Sequence, residues 1–256
     1  VDDNIDEGDG YFISVSHRAI SDDPLYTSAL TEKMAYILDN DVAGMVMSES
    51  ELTVTEGRAS VASYAFTLQS QPITSVVVSV EPSDGITVSA TSLTFEPLAW
   101  DEPLTIDVRA VDDFVARGDS ASTISHFVKS ADSNYNGRSL ADVGVVIRDN
   151  DVAGVVFSAE HVALNESSVA WYEVWLSSEP RAGQVFCRVT HEAAGDAADL
   201  RFSPSQLNFS AANWNVPQLV RLDPVRDTLD EFDGEDFVIV NTFTSTEDPS
   251  YASFQT

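Results

Sequence analysis

The hexapeptide Asp-Asn-Asp-Val-Ala-Gly occupies residues 39–44 and returns, letter for letter, at 149–154. A spacing of 110 residues, kept at other landmarks, means that the chain is built from repeats of about the size of one small domain. Val1–Asp3 return as Val111–Asp113. Glu56 in "TEG" aligns with Glu166 in "NES", and "LTFEPLAW" at 93–100 aligns with "LNFSAANW" at 207–214. Three related segments end on Tyr26, Tyr135 and Tyr251. The repeats divide the chain into the end of one (1–43), a complete one (44–153) and a third (154–256) expected to stop before its last strand. The chain has no initiator Met and opens on acidic residues, so it is expected to be a window from a longer polypeptide.

Within a repeat the periodicity is two. Tyr64, Phe66 and Leu68 alternate with polar neighbours, as do Leu104, Ile106 and Val108. Such alternation predicts strands with one buried and one wet face. Turn residues punctuate them at 70–72, 82–85 and 96–97. Seven short strands in about 110 residues predict an all-β chain of tandem Ig-like, seven-stranded antiparallel sandwiches. "SAANWN" at 210–215 is the one helical-looking turn. Trp100 and Trp214 are expected to anchor the core or its edge.

The chain carries 42 acidic and 13 basic residues, a net charge of -29. Nucleic-acid binding is not expected, because it needs clustered Lys and Arg. The charge suits cation binding or solubility by self-repulsion. No apolar run is long enough to span a bilayer. Cys187 is the single cysteine; it excludes an internal disulfide and is expected to act as a small buried hydrophobe. Asn165 and Asn208 begin glycosylation sequons, which point to an extracellular surface. The histidines His17, His126, His161 and His191 have no metal-site spacing, and the first two are expected on strands. No nucleophile elbow or phosphate loop is present. Acidic pairs that recur once per repeat do not suggest catalysis, so the chain is expected not to be an enzyme.

In the hexapeptide, three consecutive oxygen-bearing side chains link one strand to the next repeat. They face water or a cation. Ca²⁺ takes six to eight oxygen ligands, so other acids must converge on the hinge. The repeat supplies Asp2 and Asp3, then Asp6, Glu7 and Asp9, before one hinge, and Asp112, Asp113 and Asp119 before the other. Glu56 is placed to reach the same pole. Solvated loop acids are the alternative.

Together "LTVTEG", "LTFEPLAW", "VDD", "SADSNYNG" and "IRDNDVAG" resemble the Calx-beta domain, a calcium-binding sandwich of exchangers, integrin subunits and large extracellular proteins. The resemblance covers nearly the whole chain. It implies Ca²⁺ at the end of each repeat, beside the linker. Carried over residue by residue, the implied ligands are Asp2, Asp3, Glu7, Asp39 and Asp41 for the first site. Glu56, Asp112, Asp113, Asp149 and Asp151 follow for the second, and Glu166, Asp227 and Glu231 for the third. Gly44 and Gly154 would permit a tight backbone path. Two departures stand out: Arg117 replaces Glu7, and Arg226 replaces the first Asp of the pair. A guanidinium there would displace a cation or pair with the acids itself. The expected function is a structural or adhesive segment of an extracellular tandem-repeat protein, with neighbouring repeats, and other copies in a fibre, as partners. A calcium-responsive sensor module and a filament protomer joined by strand exchange are the alternatives.

Overall fold

The computed structural model describes residues 2–26, 30–57, 59–165, 168–192, 200–225 and 237–252. They form two compact units: residues 1–111 with 120–147, and residues 112–119 with 148–256. We call these the N-terminal and C-terminal units.

The N-terminal unit holds β1 (Tyr11–Arg18), β2 (Leu30–Ile37), β3 (Met45–Met47), β4 (Glu51–Thr55), β5 (Ala62–Leu68), β6 (Val76–Pro82), β7 (Ile86–Val88), β8 (Ser92–Phe95), β9 (Leu104–Ala110), β10 (Ser120–Ser130) and β11 (Val143–Arg148), whose last residue passes into the other unit. Strands β3–β11 make two sheets, ordered β3-β5-β9-β7 and β4-β11-β10-β6-β8. Nine segments stand where seven strands are expected. The difference lies at β3/β4 and β7/β8, where a strand breaks and its two halves join opposite sheets. Edge strands that switch sheets close the corners of a sandwich.

The alternation read from sequence puts the core between these sheets. Tyr64, Phe66 and Leu68 of β5 face Val76, Val78 and Val80 of β6, with Ile106, Ile124, Val143 and Val145 completing the cluster. Trp100 packs at its margin.

Among the described residues β1 and β2 pair only with each other, from Tyr11↔Ile37 to Arg18↔Leu30. Their register matches that of β10 with β11, where Ser120 lies opposite Ile147. The side chains of β1 and of residues 31–36 are exposed, Phe12 at 65% and Met34 at 63%. Phe12 and Tyr36 shelter each other, their ring centroids 4.7 Å apart.

The C-terminal unit holds β12 (Val155–Phe157), β13 (Ala170–Leu176), β14 (Val185–Glu192), β15 (Leu200–Ser203), β16 (Gln206–Phe209), β17 (Gln218–Pro224) and β18 (Val238–Thr244). Its sheets run β12-β13-β17-β15 and β16-β14-β18. Tyr172, Val174, Leu176, Val185, Phe209, Leu222 and Phe243 fill its core. Cys187 is fully buried among them, and burial pushes its thiol up to about 12. It is a packing residue. Trp214 packs at the edge of this core, and "SAANWN" is a turn.

One buried corner is built twice. Tyr135 accepts from the Ser70 N–H (3.2 Å) and donates to the Ser70 carbonyl. Tyr251 makes the matching bond to the Ser178 carbonyl, at 3.0 Å. Three residues before each tyrosine, a buried aspartate closes the turn. Asp132 accepts from the N–H of Ile73 and Asn134, each at 2.9 Å. Asp248 accepts from Arg181 at 2.8 Å and Ser250 at 2.9 Å. These acids, buried to 3% and 1% exposure, are satisfied by backbone donors and are structural.

Candidate cation sites in two acidic loops

Each unit carries one version of an acidic loop. In the N-terminal unit, residues 2–10 lead into β1 and Asp39–Asp41 follow β2. In the C-terminal unit, residues 112–119 stand before β10 and Asp149–Asp151 follow β11.

The backbone bonds repeat with the sequence. Asp3 Oδ1 accepts from the Ile5 N–H (3.0 Å), and Asp113 Oδ1 from Val115 (2.8 Å). Asp39 Oδ2 accepts from Glu7 (2.6 Å); Asp149 Oδ2 accepts from Arg117 (2.7 Å) and Gly118 (2.5 Å). Asp39 Oδ1 takes the Asp41 N–H at 3.1 Å, and Asp149 Oδ1 takes that of Asp151 at 2.8 Å. The first aspartate of each hexapeptide is therefore a clasp, with both carboxylate oxygens closing loop onto linker. Backbone donors, that of Asp41 foremost, hold Asp39 below its usual value. For Asp149 burial alone would raise the pKa, but the N–H groups of Asp151, Gly118 and Arg117 outweigh it and the net shift is downward.

The second aspartate behaves oppositely. Burial, then the charges of Asp39, Asp2, Asp3 and Asp6, push Asp41 up. Burial, then Asp149, Asp113 and Asp112, push Asp151 up, with Arg117 opposing. Oδ2 of Asp151 is buried and has no hydrogen-bond partner among the described residues. Glu7 is also raised, by burial and by Asp3 and Asp39. These are concentrations of negative charge that a hard cation would relieve.

Arg117 does what its charge suggests. Its guanidinium sits 2.9 Å from Asp113, both side chains part-exposed at 49% and 35%, so the pair is worth at most about 1 kcal/mol. Arg148 pairs with Asp119, which also accepts from the Asp149 N–H at 3.2 Å. The middle asparagine reaches back too: Asn150 Nδ2 donates to Asp112 at 3.3 Å.

Sequence reasoning underrated Asp6. Its Oδ1 accepts from Gly8 (2.9 Å) and its Oδ2 from Ala43 (2.7 Å), so it pins the hexapeptide from across the loop. The second contact spans 37 residues, and no local pattern signals it. Gly44 and Gly154 have no left-handed backbone angle, and what crowds them is the movable end of a side chain. A Cβ at Gly44 would meet Gln69 Oε1 at 1.7 Å, and one at Gly154 would meet Ser177 Oγ at 2.9 Å.

Glu56 follows β4 in the N-terminal unit and is half-buried. Glu166, Asp227 and Glu231, with Arg226, lie outside the described residues. Asn165 and Asn208 are exposed; Asn208 Nδ2 donates to Gln184 Oε1 at 3.0 Å. Among the described residues, no helix is long and apolar enough to cross a membrane.

Compared with known proteins, the chain matches no family model and no curated protein. Among solved structures it is similar to CBD12 from CALX1.2, at 18% identity and a TM-score of 0.33, over 81% of this chain and 84% of that one. It is similar to calcium binding domain CBD12 of CALX1.1, at 19% identity and a TM-score of 0.32, over 78% and 80%. The E. coli chaperone DraB shares 12% identity at a TM-score of 0.33, over 84% and 96%. With TM-scores this low, the likenesses assign neither ligand nor partner to the chain.

Proposed function

We propose that the chain is a structural or adhesive segment of an extracellular tandem-repeat protein, in which Ca²⁺ bound at the acidic loops stiffens successive linkers. Residues 1–43, 44–153 and 154–256 are the repeats in this reading. The observation that carries it is the buried, unpartnered Oδ2 of Asp151, facing the charges of Asp149, Asp113 and Asp112. An all-oxygen donor set of this kind suits a hard divalent ion and not a thiophilic metal.

In the C-terminal unit Asp112, Asp113 and Asp151 would hold the ion, while Asp149 orients the loop. In the N-terminal unit Asp2, Asp3, Glu7 and Asp41 would do so, with Asp39 and Asp6 as clasps. The ion supplies positive charge that cancels the repulsion among these groups. Arg117 supplies part of that charge in its absence, so the N-terminal loop, with Glu7 in that place, is the stronger site.

Calorimetric titration of the full chain with Ca²⁺, beside the Asp41→Asn and Asp151→Asn variants, tests this. Each substitution is expected to lower the heat from its own site. Absence of binding at about millimolar Ca²⁺, the weak end for extracellular sites, would remove the cation reading and leave the sandwich array.

A further inference from the structure

Besides the tyrosine corner, each unit buries a further polar pair at the same place in its core. In the C-terminal unit Tyr172 on β13 donates to Asn241 Oδ1 on β18, at 2.9 Å. In the N-terminal unit Tyr64 on β5 meets His126 Nε2 on β10, at 2.8 Å. An amide does not titrate in the physiological range; an imidazole does.

His126 is 6% exposed. Its Nδ1 lies 3.1 Å from the Ala141 carbonyl, which can only accept. Nδ1 therefore carries the hydrogen, and the Nε2 lone pair accepts from the Tyr64 hydroxyl. The Phe66 ring stands edge-on to the imidazole, 5.0 Å away. The ionisable groups that face it are Tyr64 from β5 and Asp142 ahead of β11; Arg138 lines the same cleft of about 400 Å³, but its guanidinium donates to the Asn134 and Ala43 carbonyls. Glu81 of β6 pairs with Ser125 and so lies on the other face of the sheet.

A second proton on this ring changes its bonding. Nε2 becomes a donor, the hydroxyl must surrender its own bond to the ring, and a charge enters an aromatic core. We propose that the Tyr64–His126 pair is an acid-sensitive lock on the N-terminal unit. Proton uptake at Nε2 loosens β10 against β5, and the matching Tyr172–Asn241 pair of the C-terminal unit does not respond. The proposal is independent of the cation reading.

The direction follows from burial, which lowers the His126 pKa below its ordinary 6.5 against the opposing pull of the Ala141 carbonyl and Asp142. The neutral-state stability is whole above that ordinary value. It falls as pH drops towards the folded-state value and is constant below it.

Hydrogen exchange of the full chain in chelator, at about pH 7.5 and about pH 5.5 and corrected for intrinsic rates, reads this directly. Protection in β5, β6 and β10 is expected to fall by up to about tenfold, the most one proton can contribute over one pH unit. Protection in β13, beside the Tyr172–Asn241 pair, should hold; β14 and β18 are not the reference, since β14 carries His191 and β18 pairs with it. His126→Asn, which copies the C-terminal pair, should abolish the fall. Nitrogen-15 imidazole spectra of the unaltered chain should give the Nδ1–H tautomer at neutral pH and a midpoint below 6.5; they decide the matter even if the variant fails to fold. An equal loss in β5 and β13, a pH response of β5, β6 and β10 that survives His126→Asn, or a charged His126 imidazole at neutral pH would overturn the lock.

Discussion

Asp149 and Asp151 are two residues apart and do opposite things. Asp149 spends both oxygens on backbone donors. Asp151 keeps one buried oxygen without a hydrogen-bond partner among the described residues. Asp149→Asn should therefore destabilise the loop by roughly 1 kcal/mol, the net value of a lost hydrogen bond, with or without Ca²⁺. Asp151→Asn should raise stability in chelator, because it removes a repelled charge, and should abolish the Ca²⁺ response of its loop. The acid response separates them as well. Asp149, lowered by its backbone donors, contributes stability that is present above its ordinary 3.8 and lost as pH falls through the lower folded value. Asp151, raised by burial and by its acidic neighbours, costs stability at neutral pH, and that cost is relieved as pH falls towards 3.8. Arg117→Glu should restore the residue that Glu7 supplies in the first loop and tighten Ca²⁺ binding by about tenfold, one charge reversal near the ion at an effective dielectric between protein and water. Titration of each variant checks these directions. In the sequence the two aspartates of "DND" read as equal ligands. What separates them is which backbone N–H groups the folded loop points at each carboxylate, and that depends on residues over thirty positions away.

At the scale of elements, the period of two located the strands and their inward faces. Tyr64, Phe66 and Leu68, read as one face from alternation, are buried together. The breaks between β3 and β4 and between β7 and β8 were not legible, because a strand changes sheet where the twist of the sandwich demands it, and no residue type marks the place. The aligned tyrosines were visible as a repeat, but their role was not, since the partners Ser70 and Ser178 come from a distant turn. Tyr251→Phe should cost about 1–3 kcal/mol, the penalty for leaving buried partners unsatisfied. Phe209→Ala, in a fully buried site, should cost about 3–5 kcal/mol. Denaturant unfolding monitored in the C-terminal unit checks both. If the tyrosine change were silent, the corner would be incidental to the fold.

At the scale of the whole molecule, a chain with a net charge of -29 repels itself, and its repeated loops concentrate that repulsion. Salt at about 0.5 M should therefore stabilise the metal-free chain by screening, and Ca²⁺ should do so at far lower concentration and at particular residues. Thermal unfolding of the full chain in chelator and in Ca²⁺, at matched ionic strength, is the most direct measure of this claim. The account predicts a rise equivalent to about 2.7 kcal/mol at a hundredfold excess over Kd, reduced when Asp41 and Asp151 are both changed to Asn. Identical curves in Ca²⁺ and chelator would contradict it: the acidic loops would then be solvated spacers, closed by Asp6, Asp39 and Asp149 and by the Arg117–Asp113 and Arg148–Asp119 pairs.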